Sequence, residues 1–478
     1  MQAVNVLDPA ASPEHSHSAA APAVVSAHAW RTLAISSLAV LAAFLDTTVL
    51  FVAFPDIVAT FDTVATTQLS WVLNGYTIVF AALLVPVGKF ADRIGHKRAF
   101  LGGSVLFTVA SMACGLAPSA GLLVVFRIVQ AVGAATLLPS SLALVLRAFP
   151  PAKVPVAVAI WGATGAVAGA LGPTLGAALV EAASWRWVFF INLPIGIFTV
   201  LAGRRVLESS RDSSTVIPAP LGVVLVAASA GLVSLGVVQS EEWGWSDERT
   251  IAALVGGAAL LGLFVMHQRT TDAPVLDLDL FGISNFAWGN AASLTFGIAF
   301  TAMFFSSILF LTDVWQYSIL KAGLAVAPGP ALVAVLAPFM GNLAGRIGQR
   351  PLLLAGGATF AVGGMLRLVM LDGEPHYVTD YLPSMLFTGI GVALCLPQLS
   401  SVVAQALPPN RLGVGGGANQ AIRQFGGTLG VALTIAFVAG AVSIDDALAG
   451  FDRVWWLLIA GGIMTSALSA PLITRRPT

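Results

Sequence analysis

The sequence contains 478 residues, of which 57% are hydrophobic and 10% are charged. Soluble globular domains carry about 25% charged residues, so this composition excludes a soluble protein and indicates an integral membrane protein with many spans. The 23 basic and 23 acidic residues cancel, which leaves no excess of basic charge for binding nucleic acid.

Residues 1–28 are rich in Ala and Ser and contain His15, His17 and His28. This composition predicts a disordered cytoplasmic tail, in which the histidines lack the partner ligands of a metal site. The tail has no basic start, and no small-residue cleavage site follows the first apolar segment. A cleavable signal peptide is therefore not predicted.

Fourteen apolar segments follow, each near the roughly 20 residues that a helix needs to cross a bilayer. Their predicted ranges are 32–55, 69–88, 99–117, 120–146, 154–180, 187–205, 218–238, 250–267, 284–313, 323–345, 351–371, 380–405, 415–440 and 454–474. With the N-terminus in the cytoplasm, only Arg186, Arg249, Lys321 and Arg453 among the basic residues near the segment ends fall on the outer side. This bias predicts an even number of spans and two cytoplasmic termini.

Two opposite charges lie inside predicted spans, Asp46 in span 1 and Arg127 in span 4. A charge at the centre of a membrane helix costs at least about 2.5 kcal/mol, so such residues are candidates for function. We predict that the two side chains pair or meet through water. Asp46 is then predicted to carry protons from one side of the membrane to the other as its environment changes. The alternative is a buried ion pair that only fixes helix packing.

The basic loop Gly88–Arg98 joins spans 2 and 3 and is typical of a short cytoplasmic hairpin. Its Asp92 lies at a helix end, where a carboxylate can cap a neighbouring helix and pair with loop arginines. Gly88, Asp92, Arg93 and Gly95 are therefore predicted to form a conformational latch, which closes in one state and opens in the other. The alternative is a loop that only sets the topology.

Span 5 contains glycines at three- and four-residue spacing around a proline, namely Gly165, Gly169, Gly172, Pro173 and Gly176. Such glycines permit close helix–helix approach, and the proline interrupts the hydrogen-bond ladder and permits a bend. The alternative is the ordinary packing of small residues between membrane helices.

The loop Gly341–Arg350 repeats the Gly88–Arg98 pattern, with Gly345 in place of Asp92. It follows the second helix of a later six-span set, so the spans divide into six, two and six. Duplicated halves around a central site are characteristic of secondary transporters. The predicted domains are a six-helix bundle over 29–210, two additional and peripheral transmembrane helices over 211–270, and a second six-helix bundle over 271–478.

Four further residues of the spans are candidates for lining a substrate cavity: Trp71, Tyr76, Gln130 and Arg423. For the aromatic residues the alternative is packing or lipid contact, and for Arg423 it is a position at the membrane interface. Asp313 and Arg367 lie near the outer ends of spans 9 and 11 and are predicted to anchor their helices at that interface.

Family motifs extend over most of the chain. They are Leu45–Val49 in span 1, Trp71–Tyr76 in span 2, the Gly88–Arg98 loop, Arg127, Gln130 and Gly133 in span 4, the glycines of span 5, and Trp185–Gly196. Together they resemble the 14-span drug:proton antiporter (DHA2) family of the major facilitator superfamily. The resemblance implies the major facilitator fold and proton-driven export of drug-like molecules, with the span-4 arginine involved in proton coupling. Phe51 replaces the asparagine usual in that family, so a polar cavity contact is lost.

The leading hypothesis is therefore a proton-coupled multidrug or antibiotic exporter in a bacterial plasma membrane. Its expected partners are a small molecule, protons and lipid, and we expect a monomer without cofactor or metal. An uptake transporter for a small metabolite and a non-transporting membrane sensor on the same scaffold are the alternatives. The sequence contains no Gly-x-x-x-x-Gly-Lys-Ser/Thr segment and no nucleophile–base constellation, so neither ATP-driven transport nor an enzyme is predicted.

Overall fold

The structure, a computed structural model, describes residues 25–150, 153–208, 217–408 and 411–473, and every regular element within them is a helix. Thirteen helical segments of this part are long and apolar enough to cross a membrane. A fourteenth span results when the two segments of one bent helix, Val156–Gly169 and Leu171–Ala182, are counted together; they meet at 42°. The predicted all-α membrane fold is confirmed, and the predicted number of spans agrees with this arrangement.

The first half consists of eight helices that form six spans, because two short helices each continue into a longer one. They are α1 (Ala27–Thr60), α2 (Thr66–Leu69), α3 (Trp71–Ile94), α4 (His96–Gly115), α5 (Ala120–Ala148), α6 (Val154–Ala182), α7 (Trp187–Phe190) and α8 (Asn192–Val206). The Ser26 side chain caps α1 by accepting a hydrogen bond from the Ala29 amide at 3.1 Å. Disorder is therefore wrongly predicted for Ala27 and His28, and the tail residues 1–24 lie outside the described residues.

Two additional helices, α9 (Pro220–Trp243) and α10 (Glu248–Thr270), precede the second half. The second half comprises a 3-10 helix (Leu278–Gly282), α11 (Ser284–Leu309), a π-helix (Phe310–Val314), α12 (Ile319–Val326), α13 (Pro328–Ile347), α14 (Gln349–Met370), a second π-helix (Tyr377–Tyr381), α15 (Leu382–Gln405), α16 (Leu412–Val438) and α17 (Ile444–Ser469). α10 packs mainly against α9, whereas α9 also packs against α3 and α16, one helix from each half. α9 therefore lies over the seam between the halves, and the peripheral position of the two additional helices stays a prediction.

Each of the two repeated loops contains a glycine at which the first of its two helices ends. Gly95 lies between α3 and α4 with a φ of 102°, and Gly348 lies between α13 and α14 with a φ of 84°. Glycine adopts such positive φ values without the steric cost that a side chain would add. Each helix therefore ends there, and the next one begins at the following residue.

The two halves meet along α3 with α16 and along α6 with α12 and α13. Between α3 and α16, the Thr428 hydroxyl donates to the Thr77 hydroxyl at 2.8 Å. Near the end of α1, Phe51 and Phe54 pack against Phe305 with ring centroids 5.5 and 5.3 Å apart. This side of the molecule, opposite the Gly88–Arg98 loop, is called the outer side below. The aromatic contacts close the seam between the halves there.

The connector between α10 and α11 is tied to both halves on the side of the basic loops. Lys89 of α3 donates to the Pro274 carbonyl at 2.8 Å, and Arg411, next to α16, pairs with Asp277 at 3.0 Å. The Gln268 carboxamide at the end of α10 accepts hydrogen bonds from two backbone amides of the connector, at 2.6 and 3.2 Å. The additional helices are therefore linked to the same helix pair, α3 and α16, that joins the halves.

Candidate functional site

Asp46 of α1 and Arg127 of α5 form an ion pair inside the first half. Arg127 Nη1 lies 2.5 Å from Asp46 Oδ2, and the two residues are 1% and 3% exposed, respectively. A buried ion pair is tolerated where its geometry is close and other hydrogen bonds satisfy the remaining polar atoms. The first condition is met by the distance, and the second is met by the neighbouring carboxamides.

The Asp46 carboxylate accepts hydrogen bonds from three side chains on two other helices. Besides Arg127, Gln130 Nε2 of α5 donates to Asp46 Oδ1 at 2.8 Å, and Asn192 Nδ2 of α8 donates to the same oxygen at 2.9 Å. Arg127 also donates to Gln130 Oε1 at 2.7 Å and, through Nε, to the Val72 carbonyl at 3.1 Å. Asp46, Arg127, Gln130 and Asn192 are called the carboxylate network below.

Local helix geometry explains how these side chains come together. Arg127 and Gln130 are three residues apart on α5, so they lie on the same helix face. Asn192 is the first residue of α8, where the chain turns from the short helix α7, and its Nδ2 also donates to Ser111 Oγ at 3.0 Å. Asn192 is part of the Trp185–Gly196 motif, but the sequence analysis does not predict it as a site residue. The signal in the sequence that could have identified Asn192 is a carboxamide side chain within an apolar span.

Tyr76 and Gln130, two of the predicted cavity residues, belong to this buried site. The Arg127 guanidinium carbon lies 4.0 Å from the centroid of the Tyr76 ring, which makes a cation–π contact. Tyr76 is 2% exposed and Gln130 is 0% exposed. In this structure both residues contact the ion pair, and their position in a substrate cavity stays a prediction.

The other two cavity candidates lie elsewhere. Trp71 is the first residue of α3, on the outer side, and is half-buried. Arg423 in α16 is half-buried and donates to the Gln420 carboxamide oxygen one turn earlier in the same helix. The four candidates therefore do not form one cavity.

α6 packs against α1 through two glycines of its motif. A methyl group at Gly176 would lie 2.9 Å from the Val49 side chain and 3.1 Å from the Val49 Cα and carbonyl oxygen. A methyl group at Gly172 would overlap Thr48, whose hydroxyl donates to an α6 carbonyl at 3.2 Å. These two glycines therefore permit the close approach of α6 to the helix that carries Asp46.

The bend in α6 lies next to Pro173, which has no amide hydrogen to donate to the Gly169 carbonyl. On the opposite side, Gly323 of α12 lies so close that an added methyl group would be 2.6 Å from the Pro173 carbonyl oxygen. Of the remaining motif glycines, Gly165 is in ordinary contact with Phe44, and an added methyl group at Gly169 would have no neighbour within 4 Å among the residues that the structure describes. The proline region of α6 therefore contacts the second half.

The predicted latch residues lie together at the junction of α3 and α4. Asp92 contacts His96 Nε2 at 3.0 Å, one turn along the chain, and Arg93 is exposed. Gly88 lies one turn before Asp92, and Gly95 supplies the positive φ of the junction. In this structure the carboxylate is thus paired with a histidine of its own loop, and the latch remains a prediction.

Replacing Asp92 with alanine is expected to lower the maximal transport rate several-fold and to leave the substrate concentration for half-maximal rate unchanged. Asp92 lies near the junction of α3 and α4 and is not part of the carboxylate network. Its loss is therefore expected to alter the exchange between conformations rather than substrate contacts. Initial transport rates over a range of substrate concentrations measure both quantities. Asp92→Asn keeps the side-chain size and tests the charge alone. An unchanged maximal rate for both variants would leave the loop with a topological role only.

Arg367 is not the interfacial anchor that its position near a helix end predicts. It is 1% exposed and donates from Nη1 to Ser307 Oγ at 2.9 Å. The aromatic residues Tyr381 and Trp455 cover it from the second π-helix and from α17. Asp313 differs, because it is exposed in the first π-helix on the outer side.

A cavity of about 470 Å³ lies on the outer side, above the aromatic contacts that close the seam. It is bounded by the ends of α1, α11 and α16 and by the start of α17. Its walls include Phe54, Asp313, Ile435 and Phe451. Its volume falls within the roughly 300–1,000 Å³ of small-molecule sites.

Two packed six-span halves with a buried, charged hydrogen-bond network in one of them define a multi-pass membrane protein of the transporter class. The chain belongs to the Major Facilitator Superfamily, whose sequence model matches residues 36–431. The family and fold expected from the motifs are thereby confirmed.

Individual proteins agree with this assignment. The chain is 34% identical over 413 residues to the multidrug resistance protein Stp of Mycobacterium tuberculosis, covering 86% of this chain and 76% of Stp. It is 33% identical over 403 residues to the cephamycin export protein CmcT of Amycolatopsis lactamdurans, covering 83% and 82%. Among solved structures, the inward-open xylose transporter XylE from E. coli matches with a TM-score of 0.65 at 12% identity, covering 94% and 97%. The last similarity concerns the fold alone.

Proposed function

We propose that this protein is a proton-coupled antiporter that exports drug-like or antibiotic molecules from the cytoplasm. The observation that carries the proposal is the carboxylate network, a single buried acid that is coordinated by donors from α5 and α8. The substrate class and the direction come from the relatives, which include a multidrug resistance protein and a cephamycin export protein.

The geometry connects proton binding to helix movement. Both oxygens of Asp46 accept hydrogen bonds, Oδ2 from Arg127 and Oδ1 from Gln130 and Asn192. Oδ1 already accepts two hydrogen bonds, so a proton there displaces Gln130 or Asn192, and a proton on either oxygen removes the negative charge that attracts Arg127. Because the donors lie on α5 and α8, protonation weakens the attachment of α1 to both helices.

α1 also forms part of the outer closure. Phe51 follows Asp46 by five residues, which is about 7.5 Å along a helix. Its ring centroid lies 5.5 Å from that of Phe305 in the second half. A movement of α1 that follows protonation therefore acts directly on the aromatic contacts beneath the outer cavity. The cavity is then the exit that opens to a molecule released from the centre.

Purified protein in liposomes that contain DNA tests the proposal, because ethidium that enters the lumen becomes fluorescent on binding DNA. With a lumen more acidic than the bath, protons leave, and an antiporter accumulates ethidium. With a lumen more alkaline than the bath, no accumulation above that of protein-free liposomes is expected.

The variant Asp46→Asn with Arg127→Gln serves as the matched control, because it retains a neutral and hydrogen-bonded site without an ionisable group. Its uptake should equal that of protein-free liposomes under both gradients. Accumulation driven by an alkaline lumen would contradict antiport and indicate symport. Gradient-driven accumulation that persists in the double variant would exclude Asp46 as the coupling residue.

A further inference from the structure

Arg367 is buried in the second half, and no carboxylate of the described residues pairs with it. The Arg367 guanidinium lies 5.0 and 5.3 Å from the ring centroids of Trp455 and Tyr381. Its one hydrogen bond within the described residues joins Nη1 to Ser307 Oγ at 2.9 Å. No ion pair within 4.0 Å links it to a carboxylate of that part of the chain. A guanidinium stays charged throughout the physiological pH range, so a full charge is enclosed here.

Two hydrogen-bond donors at this position are also unused. Within the described part of the chain, buried Arg367 Nε and the buried Tyr381 hydroxyl have no hydrogen-bond partner. The Tyr381 ring centroid lies 5.3 Å from the guanidinium carbon. Ser307 itself donates to the Met303 carbonyl at 2.6 Å, so its oxygen is fixed as the acceptor for Arg367. The guanidinium is thus held in place while Nε and the phenol remain available.

Arg127 in the first half has the counter-charge that Arg367 lacks within the described residues. Arg127 is equally buried, and it has a carboxylate at 2.5 Å and a carboxamide oxygen at 2.7 Å. Cation–π contacts return part of the lost hydration energy of Arg367, but they supply no hydrogen-bond acceptor. A buried cation that has one neutral acceptor and no counter-charge is strongly unfavourable. A water molecule would satisfy a donor without balancing the charge, whereas an anion does both.

We propose that Arg367 and Tyr381 bind a small anion, either a free halide such as chloride or the carboxylate group of a bound molecule. The anion accepts hydrogen bonds from Arg367 Nε and the Tyr381 hydroxyl, and Ser307 orients the guanidinium. The stacked rings of Trp455 and Phe451, with centroids 5.9 Å apart, separate the site from the outer cavity, of which Phe451 is a wall, so an anion from that cavity enters when these rings move. The site does not depend on the function proposed above, since it requires neither proton coupling nor export.

Purified full-length protein in detergent tests the proposal in two ways. Thermal unfolding is compared in sodium chloride and in sodium methanesulfonate of equal ionic strength, because methanesulfonate is neither a halide nor a carboxylate and a ligand that binds only the folded state raises the midpoint. Binding of radioactive chloride is measured by equilibrium dialysis. Wild-type protein is expected to unfold at a higher temperature in chloride and to bind chloride saturably.

Three variants locate the effect. Arg367→Gln is expected to abolish saturable binding and the difference between the two salts. Tyr381→Phe removes only the hydroxyl and is expected to weaken chloride binding about tenfold, as the loss of one hydrogen bond to a charged group does. Arg453→Gln, which changes an exposed arginine of α17 two residues from Trp455, is the matched control and should respond to chloride as wild type does.

Competition separates the two sources of the anion. Displacement of chloride by benzoate indicates a site that accepts carboxylates, and displacement by bromide but not by benzoate indicates a halide site. The proposal is overturned if wild-type protein shows neither a salt-dependent midpoint nor saturable binding. It is also overturned if Arg367→Gln and Tyr381→Phe both bind chloride with wild-type affinity.

Discussion

Asp46→Asn is expected to reduce proton-coupled efflux to the level of protein-free liposomes and to destabilise the protein by about 3–5 kcal/mol. The amide cannot exchange a proton, so coupling is lost. It also leaves the Arg127 guanidinium buried without its carboxylate, and an amide nitrogen placed at Oδ2 would face Nη1, donor against donor. Ethidium transport under a pH gradient measures the first effect, and chemical or thermal unfolding in detergent measures the second.

The double variant Asp46→Asn with Arg127→Gln separates coupling from stability. Removing both charges restores a neutral site, so most of the lost stability is expected to return. Efflux is not expected to return, because no ionisable group remains in the network. If the double variant regains transport along with stability, Asp46 acts in folding alone. If the single variant is as stable as wild type, the Arg127 guanidinium has another acceptor that this structure does not show.

The two charges of this site could be predicted because each stands out in an apolar segment, whereas their partners could not. Gln130 and Asn192 are neutral, and a carboxamide is inexpensive enough to occur in many helices without a special role. Helical spacing places Gln130 on the face of Arg127, but it does not show that Asp46 lies opposite. That information comes from the packing of α1 against α5 and α8, which is a tertiary property.

The burial of Arg367 could not be predicted from the sequence either. A position one turn from a helix end is compatible with a side chain that extends to the interface and with one that turns inward. The outcome depends on Ser307, Tyr381 and Trp455, which come from three other segments of the second half. Likewise, the composition of α9 predicts a lipid-facing helix, and only its contacts with α3 and α16 place it over the seam.

The span-5 motif allows a comparison within a single helix. Gly176→Ala is expected to destabilise the protein by about 1–3 kcal/mol and to reduce transport strongly, because the added methyl group meets the backbone of Val49, which cannot rotate away. Gly169→Ala is the matched control, since an added methyl group there meets no atom of the described residues within 4 Å. It also replaces one glycine of the same motif with alanine, and it should transport as wild type does.

Unfolding midpoints and ethidium uptake, measured in parallel for both variants, distinguish two explanations of the motif. Loss in Gly176→Ala alone means that the close contact of α6 with α1 is what transport requires. Equal loss in both variants would contradict this explanation, because Gly169 makes no such contact with the described part of the chain. The glycines would then act through the flexibility of α6 around Pro173. The close contact of Gly176 with Val49 would then not be what transport requires, so α1 and α6 would move relative to each other during the transport cycle.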